Sequence, residues 1–308
     1  MTRAGFIFGC LSVVTAAACT RAGLRDTPPD DGALPGTGGD AGLSRADGAV
    51  SGVDGPVGNN NCVGVASAGV YVLDVQGTLR LFDPYTLTFT TIGNLDCPNV
   101  LPGNYNSMAV DRNGIAWINA YSRGSSQLFR LDIRALTCSA TAFDPQNLQN
   151  IGMGFSSDQP GSSSETLFIV SQTQAPGGNT FGSIGFPALG FTNLGHTDGR
   201  LEFTGTGDAQ LWGFHPDDPS VIGQIDKTSG AFVKTYPAPP ITNKTGQIAY
   251  AFAFWADAFW LFLKSGDAPS SSVHSVARAS GILATPIPDT KLIIVGAGVS
   301  TCAPFVIP

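Results

Sequence analysis

From Cys62 onward the chain is a succession of short runs in which apolar and polar residues alternate, broken by clusters of turn formers. One unit recurs. It is an alternating run, a turn residue, three or four turn formers and a second alternating run: LRLFDPYTLTFTTIG, LFRLDIRALTCSATAF, FGSIGFPALGFTNLG, VIGQIDKTSGAFVKTY and VHSVARASGILATPI. Alternation with a period of two predicts strands, and the spacing predicts hairpins. Aligned at the turn, the units are anchored by Asp83, Asp132, Gly185, Asp226 and Ala277, with separations of 49, 53, 41 and 51 residues. That is close to the roughly 40 to 50 residues of one propeller blade.

A second register interleaves with the first. Ahead of each hairpin lies a short strand with an aromatic residue at the same place: Tyr71 in GVY, Trp117 in IAW, Phe168 in TLF, Trp212 in QLW and Trp260 in AFW. Packing between blades is the role expected of these five. In four units a third element comes earlier still, in SMAVDRNG, IGMGFSSD, EFTGTGDA and AFAFWADA, each reaching an Asp at its turn. The first unit has no such element, and the C-terminal LIIVGAGVSTC resembles the missing one, with Gly296-Ala297-Gly298 set against Gly205-Thr206-Gly207. The expected fold is therefore all-β, a five-bladed β-propeller of four-stranded blades whose ring is closed by the C-terminal strand.

Two segments imitate other structures. LIIVGAG looks like the strand and glycine turn of a dinucleotide site, but Thr301 stands where a third glycine is needed and ten residues are too few for the helix. The apolar run from Ile248 to Leu263 looks like a membrane span, but it is 16 residues long and holds Asp257, so a buried hairpin fits it better.

The N-terminus carries an address. Arg3 precedes an uncharged apolar stretch from Ala4 to Ala18, and small residues lead up to Cys19, the pattern of an export signal. Ala16-Ala17-Ala18-Cys19 resembles the lipobox of bacterial lipoproteins, with Ala16 where Leu is usual, which implies that Cys19 is lipidated. A plain secretory signal cleaved near Ala18 is the alternative. Ile7-Phe8-Gly9-Cys10 would leave too short an apolar core. Thr20 rather than Asp after the cysteine favours the outer membrane over the inner one. Residues 1–18 read as signal peptide, 19–61 as a Gly-, Pro- and Asp-rich tether without periodicity, and 62–308 as the propeller domain.

Composition supports this division. An apolar content of 43% fills a core, and 39 Gly with 21 Pro among only 13% charged residues implies many turns and little amphipathic helix. With 16 basic against 23 acidic residues there is no cationic surface for a phosphate backbone, so nucleic acid is not an expected partner. Four cysteines fall in the domain. In an oxidising envelope Cys62 and Cys302 would close the composite blade, leaving Cys97 to pair with Cys138 between blades one and two.

The chain carries few motifs of known chemistry. GxSxG, HExxH, P-loop and EF-hand patterns are missing, no CxxC occurs, and His196, His215 and His274 stand in distant segments, so neither metal nor cofactor is expected. Asp111, Asp158, Asp208 and Asp257 occupy equivalent turns and could ring one face, although turn capping explains aspartates there. Trp255 has no counterpart in the other blades and is a candidate for an exposed binding aromatic. No catalytic residue is assigned.

VDRNGIAW, TGTGDAQLWGF, AFAFWADAFW and IVGAGVSTCAP, together with the lipobox and tether, resemble a group of uncharacterised bacterial lipoproteins. VDRNGIAW is also similar to repeats of NHL and sensor-type propellers. The resemblance implies an envelope propeller and assigns no site residues. The expected function is a non-catalytic binding or scaffolding module, anchored to the membrane, with an envelope protein or a glycan as partner. The alternative is an envelope or secreted propeller enzyme that acts on a polysaccharide or similar polymer through aspartates near the axis.

Overall fold

A computed structural model describes residues 62–101, 103–171 and 178–304. Cys19, the signal and the tether lie outside the described residues. Among the described residues twenty strands form five four-stranded antiparallel sheets. Blade 1 holds β1 (Val70–Asp74), β2 (Thr78–Asp83) and β3 (Thr88–Asn94). Blade 2 holds β4 (Tyr105–Val110), β5 (Ile115–Ser122), β6 (Ser125–Asp132) and β7 (Thr137–Ala140). Blade 3 holds β8 (Ile151–Ser157), β9 (Glu165–Ser171), β10 (Asn179–Gly185) and β11 (Gly190–Thr197). Blade 4 holds β12 (Glu202–Gly205), β13 (Leu211–His215), β14 (Val221–Ile225) and β15 (Phe232–Pro237). Blade 5 holds β16 (Ala249–Trp255), β17 (Ala258–Lys264), β18 (Ser272–Ala277) and β19 (Leu283–Ile287). The last strand, β20 (Ile294–Gly298), pairs with β1 and completes blade 1. The innermost strands β20, β4, β8, β12 and β16 adjoin one another in that order and back to β20, so the ring is closed.

The hairpin anchors fall where the repeat puts them, at the turn between the third and fourth strand of each blade. Asp83, Asp132 and Asp226 each accept the N–H two residues on, at 2.8, 2.9 and 2.7 Å. Four residues after every anchor the backbone enters the left-handed region, at Leu87, Leu136, Leu189, Gly230 and Gly281. A leucine there is strained, and the bond from its N–H back to the anchor carbonyl, 2.9 Å for Leu87 and 2.7 Å for Leu189, holds it in place.

Packing follows from a taper. On each innermost strand the residue opposite the aromatic of the second strand is small: Gly298, Ala109, Gly154, Thr204 and Ala253 face Tyr71, Trp117, Phe168, Trp212 and Trp260. Near the axis adjacent blades nearly touch, and a Cβ on Gly154 would lie 2.7 Å from the Phe203 carbonyl carbon. One strand further out the wedge widens and the aromatics fill it, all five of them buried. Five apolar clusters result, one between each pair of neighbouring blades.

That register corrects one expectation. β20 is the missing strand, but Gly298 rather than Gly296 stands opposite the aromatic, so Gly296 corresponds to Glu202 and not to Gly205. The glycines of LIIVGAG serve close approach at the axis: a Cβ on Gly298 would lie 2.9 Å from Val110 Cγ2. The apolar run from Ile248 to Leu263 is the β16–β17 hairpin, turning through Ala256 and Asp257 in the left-handed region. Among the described residues no helix is long and apolar enough to cross a membrane.

Both expected disulfides are present, Cys62–Cys302 and Cys97–Cys138, with Cα separations of 6.0 and 4.9 Å. Hydrogen bonds reinforce the first. Ser300 Oγ donates to the Ala66 carbonyl at 2.7 Å, and the Val63 N–H donates to the Arg112 carbonyl at 3.2 Å. The bridges span 240 and 41 residues. Chain entropy alone gives about 5.5 and about 4 kcal/mol for them. Replacing Cys62 and Cys302 together by Ser is therefore expected to lower the urea midpoint more than replacing Cys97 and Cys138. Equal losses would show that loop length does not set the relative contribution of the two bridges.

Candidate functional site

The two ends of the ring axis differ. At the end where the innermost strands finish, Arg112 fills the centre. Its Nη2 donates to Ser157 Oγ at 3.2 Å and Thr301 Oγ1 at 2.7 Å, and its Nε lies 3.5 Å from Glu165 Oε2. Glu165 in turn accepts the Arg112 backbone N–H at 2.8 Å and the Thr301 hydroxyl at 2.6 Å. Blades 1, 2 and 3 are thus bound into one buried knot. Lys227 of blade 4 adds a bond to the Ser157 carbonyl at 2.9 Å. Burial pushes the Glu165 carboxyl above the usual range, further than the Thr301 hydroxyl and the N–H and charge of Arg112 draw it back.

At the other end the axis opens into a pocket of about 280 Å³. Its walls come from all five blades and include Tyr105 and Asn106 from blade 2, Asn150 from the approach to blade 3, Arg200 and Glu202 from blade 4 and Gln247 to Tyr250 from blade 5; Val75 and Val295 complete it. The floor is set by one level of the register. Gly296, Ser107, Gly152, Glu202 and Ala251 occupy the same position on the five innermost strands. Four are small, and the fifth is a carboxylate. Because blade 3 has only Gly152 there, Glu202 of blade 4 reaches past it to Ser107 of blade 2, whose hydroxyl donates to Glu202 Oε2 at 2.8 Å.

The walls are held from behind. Asp217 accepts from Arg200 Nη2 at 3.0 Å and from Lys244 Nζ at 2.5 Å. Burial alone would raise the Asp217 carboxyl, but the bonds from Lys244 and Arg200 outweigh it and hold that carboxyl below the usual range. Asn106 Nδ2 donates to the Ile151 carbonyl at 2.9 Å, which orients its amide, and Lys264 Nζ donates to the Gln247 carbonyl at 2.6 Å. Burial raises the phenol of Tyr250, helped by the charge of Glu202, and that of Tyr105, helped by Asp96. Both phenols remain protonated donors at neutral pH.

The sequence candidates sit elsewhere. Asp111 is buried and caps its own turn, accepting from the Asn113 and Ile115 N–H groups at 2.8 and 3.0 Å and from Trp117 Nε1 at 3.3 Å. Asp158 is exposed and accepts from Thr166 Oγ1 at 2.7 Å. Asp208 and Asp257 do come together, across the blade 4–blade 5 boundary, where Arg278 donates to both at 3.0 and 2.7 Å. The four do not converge on the axis as an acidic crown. Trp255 is a correction. It is buried between blades 5 and 1, under the segment whose Pro304 carbonyl accepts the Ala256 N–H at 2.9 Å, and is not among the residues that line the axial pocket, so it is not an exposed binding aromatic.

Arg200, Glu202, Tyr250, Tyr105, Asn106 and Asn150 were not singled out from the sequence. Glu202 left a signal, as one of two glutamates in the chain and the one charge in a column of small residues. The three-residue error in aligning β20 with β12 concealed it.

Fold and site together define a five-bladed β-propeller with one knotted end and one open axial mouth. No protein-family model and no curated protein matches the chain. It is similar in structure to TolB from Acinetobacter baumannii, with 11% identity, 72% of this chain and 51% of that one covered, and a TM-score of 0.43. It is also similar to the calcium-binding protein regucalcin from Agrobacterium tumefaciens, with 17% identity, 64% and 65% covered and a TM-score of 0.42. A third is a protein of unknown function from Bacteroides thetaiotaomicron, with 13% identity, 70% and 56% covered and a TM-score of 0.42. The chain thus spans between half and two thirds of the length of these neighbours.

Arg112→Met tests the knot. It leaves the Glu165 carboxylate buried without its guanidinium, and a loss of about 3–5 kcal/mol is expected at neutral pH. Glu165 already has a raised folded pKa, so its proton favours the fold. The stability tied to that proton is fully present below the unfolded value near 4.5 and is lost as pH rises through the folded value. The deficit of Arg112→Met should therefore shrink between pH 7.5 and pH 5 in urea titrations and shrink at both pH values when Glu165→Gln is added. A pH-independent deficit would mean that Arg112 acts by packing alone.

Proposed function

We propose that this protein is an exported lipoprotein, anchored through Cys19 and placed on the outer membrane, whose propeller is a non-catalytic binding module that takes a small polar ligand into its axial mouth. The observation that carries the binding reading is the arrangement of the two glutamates. Glu202 lies on the floor of the open pocket, and Glu165, opposite Ser157 in the β8–β9 ladder, is locked in the knot at the other end. Five residues of strand, Gly152 to Ser157, separate the two levels, roughly 17 Å. Paired carboxylates for glycoside cleavage stand about 5 to 9.5 Å apart. The aspartates fit the enzyme alternative no better, since Asp111 and Asp158 serve turns and Asp208 and Asp257 share Arg278. A single carboxylate beside a guanidinium, amides and phenols suits recognition.

Export is supported by the two disulfides, which persist in oxidising compartments. The anchor is supported by the resemblance of Ala16-Ala17-Ala18-Cys19 to a lipobox and by the absence of a polybasic cluster that would offer another hold on lipid. An envelope protein or a glycan near the membrane is the partner such an anchor offers, and a nucleic acid partner fits neither the charge nor the site.

Two measurements check this reading. Intact mass of the protein from its native membrane should show a diacylglyceryl group plus an acyl chain on Cys19, and an unmodified N-terminus would make it a diffusible secreted protein. In a ligand-observed NMR screen of small polar compounds, at least one should bind, be recovered unchanged, and lose its signal in Ala249→Trp, which fills the pocket. Turnover of the bound compound would establish an enzyme instead.

A further inference from the structure

We propose that the axial pocket recognises the terminal residue of a neutral glycan, one hydroxyl-bearing ring held by Glu202, Arg200, Asn106 and Gln247 against the side chains of Tyr105 and Tyr250. The inference rests on the binding reading above and names its ligand class. Size comes first. A cavity of about 280 Å³ is at the small end of ligand pockets and closed below by the Glu202–Ser107 floor, so it admits one ring or the end of a chain and not the middle of a polymer.

Charge comes second. Arg200 and Glu202 are the charged groups of the lining. Arg200 and Lys244 share one carboxylate, Asp217, and the positive charge left over is matched by Glu202 in the lining, so the set has no surplus cation for an anionic ligand, and an entering carboxylate or phosphate would meet the Glu202 charge on the floor. A cationic amine would be drawn by Glu202 but would be desolvated beside the Arg200 guanidinium. Neutral ligands avoid both costs.

Third is the inventory of partners. A guanidinium with five N–H donors, a carboxylate that only accepts, amides that do both and two protonated phenols offer mixed donors and acceptors within one small space. Vicinal hydroxyls, each donor and acceptor, match such a set, and the phenol rings supply apolar surface for the C–H face of a sugar. Behind the floor the same polarity continues. Asn119 pairs in register with Ser107, is fully buried, and has a side-chain amide without a hydrogen-bond partner among the described residues. The other four blades place Leu73, Val170, Phe214 and Phe262 at that position. A buried amide in an apolar column is costly unless the region around it is a polar site.

The test is saturation-transfer NMR on the full-length protein in a detergent without a sugar head group. The probes are methyl glycosides of glucose, galactose, mannose and N-acetylglucosamine, with alanine, lysine and inorganic phosphate as the competing classes. At least one glycoside should bind saturably, weaken about tenfold or more in Glu202→Gln and in Asn106→Ala, and be unchanged in Asp158→Asn at the opposite end. Asn106→Ala keeps the test open if Glu202→Gln fails to fold. Binding of alanine, lysine or phosphate, lost in Ala249→Trp, with no glycoside response would overturn the sugar assignment and leave the binding module standing. Glycoside binding indifferent to Glu202→Gln, Asn106→Ala and Ala249→Trp would place the sugar elsewhere and overturn the proposal. No response from any probe in the native protein would overturn both.

Discussion

Everything in this propeller follows from how closely five sheets can approach one axis. The innermost strands come so near to one another that side chains at the narrowest level must be small, and Gly298, Ala109, Gly154, Thr204 and Ala253 meet that requirement. A methyl group on Gly205 would sit 2.0 Å from the Phe155 carbonyl oxygen, which shows how little slack the ring has. One strand outward the same wedge must be filled, and it takes Tyr71, Trp117, Phe168, Trp212 and Trp260. Small inside and aromatic outside is one geometric rule, and it fixes the register of every blade.

Small residues along the axis leave space that either water or chemistry must occupy, and the two ends of this ring resolve that differently. At one end a long basic side chain is drawn in and tied down by Glu165, Ser157 and Thr301, and the neighbouring Cys62–Cys302 bridge holds Thr301 where the knot needs it. At the other end the tallest intruder is a carboxylate on the floor, with amides, phenols and a guanidinium above it. Closure and the open pocket are thereby separated along one axis. The covalent clasp lies with the structural knot, away from the mouth.

The architecture was readable from the chain because its rule is periodic. Alternation gave hairpins, the aromatic column gave the second strand, and the left-handed residue four places after each anchor shows that even the turn repeats. The site was not readable in the same way, because it consists of departures from the repeat. Glu202 and Asn119 each break a column of otherwise small or apolar residues, and seeing that needs the columns aligned to the residue. Placing β20 three residues away from its true register against β12 set Gly296 over Gly205 and left Glu202 without a comparison. Tyr105, Asn150, Arg200 and Gln247 lie on or beside strand starts, where sequence spacing says nothing about which blades face one another. The turn aspartates recur because the turn itself repeats, and that recurrence marks them as structure.

That contrast carries a consequence for how the mouth is held. Its walls are drawn from all five blades, and no single sheet contributes more than a few of its groups, so the spacing between Glu202 and Tyr105 or Asn106 is a property of the closed ring. The Ser107–Glu202 bond spans two blade boundaries across Gly152 and therefore measures that closure directly. A ring opened at the β20–β1 seam would let blades 2 and 4 drift, and the floor would be lost before any core cluster within a blade pair was disturbed. The stability of the ring and the geometry of the pocket thus meet in the same requirement. The clasp at one end keeps the blades close enough for a carboxylate at the other end to have a partner.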